Sequence, residues 1–476
     1  MTRLVVVYDD SLKASGRVKT ILGERSFGEM ILKRQSMLTR VRKIVKTVKN
    51  TDIVAVRKFE KFDLNVFAPD TIFLHLKASA AVVMPDDFLI LLEKIIYTKN
   101  NILIKNKDVI VGAVFKNRSE YGRFLQDYTH QGVMNFVKGD VIDANMFADL
   151  TDYDTLLMFI SSGFDARYFN SLQGDAYTVT KRSADKKKMK MEYSYYWLLP
   201  EAMKNWMVMP YDYKETKTDA SYTMERMPMT DIAIRWTHGA VDAEELRNIL
   251  DKTFYFLNHR TEKRVTNEEY AKVRDGLYVE KVRKRVADLK QKPEYGILAQ
   301  LIRSGTEYDS IDEIVDDYLR LYRKIIKNKK VASKSVIGHG DVFFANMLYS
   351  KELNLLRLID PKGALTEVDL WMDPYYDVAK LSHSVCGNYD FFNTGSYSIE
   401  LNKDMKFALT VHYDNTRAVE IFREYLTKNG YDYTLVRLYE ASLFLSMLPL
   451  HIDNLHKVLG FVLNAILILK EVKTNV

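Results

Sequence analysis

The segment Val336-Ile-Gly-His-Gly-Asp-Val-Phe-Phe-Ala-Asn-Met-Leu-Tyr349, continued by Leu358-Ile-Asp-Pro-Lys-Gly363, constrains this chain more than any other stretch. It alternates an apolar strand pattern, a turn dense in polar groups, a second apolar strand and another polar turn. Asp341 and Asn346 stand five positions apart, and Asp360 follows Asp341 by 19. A hydroxyl nucleophile needs an acceptor for its proton, and a hard cation needs oxygen ligands. A loop carboxylate, an amide oxygen five residues on and a carboxylate beyond a short hairpin supply both. This is the spacing of a phosphoryl-transfer centre.

The pattern His-Gly-Asp-x-x-x-x-Asn-x-Leu, with Ile359-Asp-Pro beyond it, resembles the aminoglycoside phosphotransferase and choline kinase family. That resemblance implies a protein-kinase-like fold and transfer of the γ-phosphoryl group of ATP, with Mg²⁺, to a small-molecule hydroxyl. It implies Asp341 as catalytic base and Asn346 and Asp360 as metal ligands. His339 is expected to shape the loop, and Lys362 to be an ordinary turn lysine. Asp377, in Asp377-Val-Ala-Lys-Leu381, is expected to anchor the catalytic loop by hydrogen bonds.

A kinase-like centre requires a smaller lobe upstream, with a strand lysine braced by a helix glutamate. Lys181 closes the strand pattern Ala176-Tyr-Thr-Val-Thr-Lys181, and Glu192 follows 11 residues later in a Lys-rich helical stretch. This pair matches the expected order. The phosphate loop is expected near Asn170-Ser-Leu-Gln-Gly-Asp175, with Ser171 and Gly174 as candidate phosphate contacts, although a hairpin turn reads equally well there. Tyr222–Met227 occupies the position of a hinge, which places Glu225 and Met227 beside the nucleotide base. The helical region from about Glu268 to Lys329, interrupted at Gly305, reads as part of a helical large lobe.

Length and composition bound the rest. A chain of 476 residues is too long for one ordinary core. With 47% hydrophobic residues it reads as folded and soluble. The net charge of +7, from 70 basic and 63 acidic residues, fits anionic ligands without demanding them, and no nucleic-acid motif is present. Cys386 is the only cysteine, so no intrachain disulfide can form. The N-terminal apolar run is too short for a signal peptide, and Phe461–Leu469 falls far below the roughly 18 residues of a membrane span. The chain reads as cytoplasmic.

Before the kinase-like part, strands are expected at Leu4–Tyr8, Ile53–Val56, Thr71–His75 and Val109–Phe115, with helices at Met30–Lys49 and Pro85–Tyr97. The alternation predicts an α/β domain over residues 1–145 with a largely parallel sheet. The opening strand with Asp9-Asp10, together with Ser26–Lys33, resembles nucleotidyltransferase folds of the glycosyltransferase A type. The Gly-rich triphosphate loop of such enzymes is not visible, since Gly16 and Gly23 are isolated, so the domain reads as degenerate or architectural. The organisation expected is thus an α/β N-terminal domain, a small lobe over 150–240 and a large lobe over 241–476. Together the lobes form an α+β bilobal kinase-like domain.

The acceptor is expected to be a sugar or an amino alcohol, in a setting such as polysaccharide precursor synthesis. Trp371, Tyr375, Tyr376, Tyr389, Phe391 and Phe392 could pack a core, stack on a sugar or cage a quaternary ammonium. His383 reads as a core histidine. A nucleotide-binding pseudokinase-like module and a bifunctional kinase/nucleotidyltransferase are the alternatives.

Overall fold

The computed structural model describes residues 3–32, 34–131, 139–162, 170–174, 177–328 and 334–475. The chain divides into two compact units, Met1–Asp165 with His238–Ala240, and the remainder. No helix among the described residues is long and apolar enough to cross a membrane.

The first unit is built on a six-stranded sheet. Its strands are β1 (Leu4–Asp9), β2 (Thr51–Val56), β3 (Ile72–Lys77), β4 (Ile102–Asn106), β5 (Val109–Phe115) and β6 (Asp140–Asp143), in the order β2-β1-β3-β5-β4-β6. Every residue of β1 is buried, as expected of a β-branched strand covered on both faces. The sheet is mixed rather than largely parallel: β5 runs antiparallel to both β3 and β4. Only a tight turn through Lys107, at φ 53°, joins β4 to β5, and so short a connection cannot make the crossover that parallel pairing needs. The helix expected from Met30 also starts later, at Met37, running to Val45 (α1). Residues Ile31–Leu32 and Gln35–Ser36 form a small hairpin instead, and the Ser36 hydroxyl caps α1 by accepting from the Thr39 N–H.

In the second unit, β7 (Asn170–Gly174), β8 (Thr178–Ser183), β9 (Pro210–Glu215) and β10 (Ala220–Glu225) form an antiparallel sheet in the order β7-β8-β10-β9. Helix α2 (Lys186–Leu198) packs on it, capped by the Asp185 carboxylate, which accepts from the Lys188 N–H. The larger lobe is helical. Its long charged region breaks at Gly305, as read from the sequence, and also around Pro293, into helices that include α3 (Lys281–Lys290). Strand β11 (Lys334–Ile337) leads into the catalytic-type loop. The hairpin of β12 (Met347–Ser350) and β13 (Leu355–Leu358) leads out of it to Asp360. Helix α4 (Tyr376–Val385) and a C-terminal helical pair pack behind. A small antiparallel sheet carrying a lysine, a helix carrying its glutamate and a helical lobe carrying the loop make the second unit bilobal and protein-kinase-like.

Candidate active site

Lys181 sits in β8 between Leu172 and Tyr222 of the neighbouring strands. Its Nζ lies 2.6 Å from Glu192 Oε2 and 2.9 Å from Asp360 Oδ1. Glu192 also accepts from the Tyr222 hydroxyl at 3.0 Å. Burial pushes the Lys181 ammonium toward its neutral form, but Asp360 and Glu192 outweigh it and hold the pKa above the usual lysine range. Burial raises Glu192, and Lys181 offsets only part of that rise. Two residues 179 positions apart, one on the small-lobe sheet and one beyond the large-lobe hairpin, thus share one ammonium.

Asp360 takes the left-handed conformation, φ 55°, immediately before Pro361. Aspartate tolerates this region better than most residues, and such strain is found where the surrounding structure enforces it. The turn then reaches Gly363, at φ 88°, where an added Cβ would stand 2.7 Å from the Met191 carbonyl carbon. The Ala364 N–H donates to the Met191 carbonyl at 3.0 Å. This close approach binds the metal-type turn to the helix that carries Glu192.

The loop between β11 and β12 holds Asp341 and Asn346. Asn346 is buried, and its Nδ2 donates to the Asp341 carbonyl (3.1 Å), to Asp341 Oδ2 (3.3 Å) and to the Asp360 carbonyl (3.4 Å). With its amide nitrogen so committed, the Asn346 amide oxygen is its remaining coordinating atom. That oxygen and the partly exposed Asp360 carboxylate form a hard donor set of the kind Mg²⁺ prefers. Asp341 is one-third exposed.

Asp377 ties the loop down. Its carboxylate accepts from the His339 N–H (3.0 Å) and the Gly340 N–H (2.7 Å), and it pairs with Arg260 at 2.8 Å. The His339 ring is fully buried, lies edge-on to Tyr195 and accepts from the Asp341 N–H through Nδ1. Burial depresses its pKa. The ring shapes the loop and holds Asp341 from behind. The Phe344 N–H donates to Ser384 Oγ at 3.0 Å.

Among the other residues named from the sequence, Glu225 ends β10 and Met227 lies two residues on, in the segment connecting the two lobes. The proposed phosphate loop is different. Asn170–Gly174 is itself a strand, with Ser171 opposite Arg182 and Gly174 opposite Val179. The Ser171 side chain and Asp175 lie outside what the structure describes. Tyr375, Tyr376, Tyr389, Phe391 and Phe392 are buried against one another and the helices, so they pack the core and leave no open aromatic cage. Only Trp371 is partly exposed, with Lys263 Nζ 4.2 Å above its ring. His383 is buried between Tyr389 and Phe444.

Lys380 was not legible as a site residue. Its Nζ lies 2.8 Å from Asp341 Oδ1, and its side chain is only 14% exposed. The sequence signal was present but ambiguous: Lys380 stands three residues after Asp377 in α4, and nothing in helical spacing says that its ammonium crosses to the loop. Arg260, which neutralises Asp377, carries no local motif at all.

No family model and no curated protein matches the chain. Among solved structures it is similar to a thermostable mutant of aminoglycoside phosphotransferase APH(4)-Ia in its apo form, with 11% identity and a TM-score of 0.39 over 63% of this chain and 89% of that one. A ternary complex of that enzyme with AMP-PNP and hygromycin B gives 12% and 0.37, over 66% and 97%. The GDP complex of aminoglycoside 2'-phosphotransferase-IIIa gives 12% and 0.37, over 65% and 90%. Likenesses this low add no weight, and the kinase-like character of the second unit stands on how Lys181, Glu192, Asp341, Asn346 and Asp360 are placed.

Proposed function

We propose that the second unit is a phosphotransferase that moves the γ-phosphoryl group of ATP to the hydroxyl of a small molecule, with Mg²⁺ bound. The observation that carries this reading is the single Lys181 ammonium held by both Glu192 and Asp360, beside a loop presenting Asp341 and Asn346. In this reading Lys181 grips the nucleotide phosphates and Glu192 keeps it oriented. Asn346 and Asp360 hold the Mg²⁺, which neutralises phosphate charge when bound. Asp341 aligns the acceptor hydroxyl and receives its proton, and the segment at Glu225 and Met227 meets the base. Replacing Asp341 by Asn is expected to lower turnover roughly 100- to 10,000-fold while leaving Mg-ATP affinity within a few-fold. Nucleotide titration beside an ADP-release assay measures both. Equal turnover in the variant defeats the proposal.

A binding-only module is the alternative read from the sequence, on the single glycine of Asn170–Asp175. It predicts nucleotide binding without turnover on any acceptor. For the first unit, an architectural role is favoured over nucleotidyl transfer. Asp9 is filled by Ser11, His75 and Tyr128, and Asp10 by Ser26, Gly28 and Arg57. Carboxylates saturated by protein donors have little capacity left for a metal. Of the acceptors read from the sequence, the sugar class is retained, and a role in polysaccharide precursor synthesis remains the pathway proposed.

A further inference from the structure

Helix α4 presents one face to the catalytic-type loop. Asp377, Lys380 and Ser384 follow one another at intervals of three and four, the spacing that keeps side chains on one side of a helix. All three reach the loop. Asp377 accepts from the His339 and Gly340 amides, and Ser384 Oγ accepts from the Phe344 N–H, so both hold backbone. Of the three only Lys380 meets the side chain of Asp341, with Nζ 2.8 Å from Oδ1. The Phe343 ring lies 5.8 Å from the same ammonium.

A buried cation needs a counter-charge for its own sake, and the choice of partner separates this pair from ordinary packing. Asp377, one turn away and fully buried, is spent on Arg260. Lys380 is largely buried, yet it pairs with the more open Asp341. Burial alone would push the Lys380 ammonium toward its neutral form, but Asp341, with Tyr376, outweighs it and holds the pKa above the usual lysine range. The other carboxylate of the site is matched in the same way, since Asp360 shares the Lys181 ammonium at 2.9 Å. Asn346 Nδ2 lies 3.3 Å from Asp341 Oδ2 and 3.4 Å from the Asp360 carbonyl, so both aspartates border one small space. Nucleotide phosphates entering it meet two negative groups. Asp360, as a metal ligand, has its charge met by the cation it holds. Asp341 holds no metal in this reading, and its charge is met by Lys380. A carboxylate without that ammonium would repel a terminal phosphoryl group, strongly so in a partly desolvated site.

Resting on the phosphotransferase reading above, we infer that Lys380 is a positioning residue: it fixes the Asp341 carboxylate for the acceptor hydroxyl and offsets its charge against the γ-phosphoryl group of ATP. Lys380 bonds Oδ1 and the Asn346 amide bonds Oδ2, and a donor on each oxygen sets the plane of the carboxylate. In the transfer, the acceptor oxygen bonds to the γ-phosphorus as the bond from that phosphorus to the β–γ bridging oxygen breaks. ADP leaves with that electron pair, and the hydroxyl proton passes to Asp341. Lys380 keeps its proton throughout.

The test is a nucleotide-binding cycle on the full chain with Mg²⁺ present, and it needs neither an identified acceptor nor turnover. Calorimetric titration gives Kd for AMP-PNP, which carries a γ-phosphoryl group, and for ADP, which lacks one. Lys380→Met is expected to weaken AMP-PNP about tenfold or more and ADP by no more than about twofold. Adding Asp341→Asn is expected to recover AMP-PNP affinity, because the repelling carboxylate is gone, and Lys380→Arg is expected to keep it. Lys380→Gln, neutral but polar, is expected to repeat the methionine result and serves where methionine does not fold. A role confined to packing weakens both nucleotides alike, and Asp341→Asn does not reverse it. That result, or unaltered AMP-PNP affinity in a folded neutral variant, overturns the inference and leaves the phosphotransferase reading standing. Loss of folding in both neutral variants that Asp341→Asn does not repair assigns Lys380 to packing and overturns it as well. Failure of the unmodified chain to bind either nucleotide overturns both readings.

Discussion

Lys181 and Glu192 are both almost wholly buried, so each charge depends on the other and on Asp360 for solvation. Removing one partner of a buried pair leaves the other uncompensated, which typically costs about 3 kcal/mol or more. Lys181→Met is therefore expected to lower unfolding free energy by roughly that amount and weaken Mg-ATP binding tenfold or more. Adding Glu192→Met should recover part of the stability and none of the binding. Urea unfolding and nucleotide titration on the two variants separate the effects, and full nucleotide affinity in the single variant would remove Lys181 from the site. Asp231 and Asp390 behave oppositely. Both are buried in the large lobe, and burial pushes each to about 7, with the Asp390 charge adding to the rise at Asp231. A carboxyl near 4 when unfolded and near 7 when folded binds more protons in the folded state between those values, so stability falls as pH rises from about 4 to about 7 and then levels. A shift of this size corresponds to something on the order of 4 kcal/mol per group. Asp390→Asn should flatten the profile between pH 4.5 and 7.5 in urea unfolding. An unchanged slope would show that Asp390 does not titrate there.

At the scale of elements, the site depends on one turn held against one helix. Gly363 is the point of contact, and an alanine there meets both an unfavourable φ and the backbone of Met191 and Glu192. Gly363→Ala is expected to cost about 2 kcal/mol or more and to raise the KM for ATP several-fold, because pushing α2 away separates Glu192 from Lys181. A thermal melt with steady-state kinetics checks this, and an undisturbed KM would show that the helix does not transmit the strain. The elements most faithfully legible were those whose pattern is local. Strand β5 was expected over Val109–Phe115 and is found there, and the hairpin leading to Asp360 follows its alternation of apolar runs and polar turns. The start of α1 was not legible from periodicity, because the Ser36 cap and the small hairpin before it compete with helical spacing only once folded.

At the scale of the molecule, each unit buries its own core: Val5, Val7, Phe73, Ala113 and Phe115 in the first, and the helical lobe with its catalytic-type loop in the second. Asp9 belongs to the first. Burial alone would raise its pKa, but hydrogen bonds and the charge of His75, with Ser11 and Tyr128, hold it near 2. Its contribution to stability is complete above about pH 4 and is lost as pH falls through about 2. Asp9→Ala should destabilise the first unit by roughly 2 kcal/mol, since it leaves buried donors unmet, while ATP-dependent turnover persists. Turnover lost without any change in melting would contradict that separation. The residue types and spacings of Asp341, Asn346 and Asp360 and the order of Lys181 and Glu192 before them were present in the amino-acid sequence, because those features are local patterns or linear order. Only tertiary structure decided that β5 reverses, that Asn170–Gly174 is a strand, and that Lys380 meets Asp341. Charge pairing and strand direction are set by which distant segments meet, and Lys380, 39 positions from Asp341, carries no mark in the sequence of the contact they share.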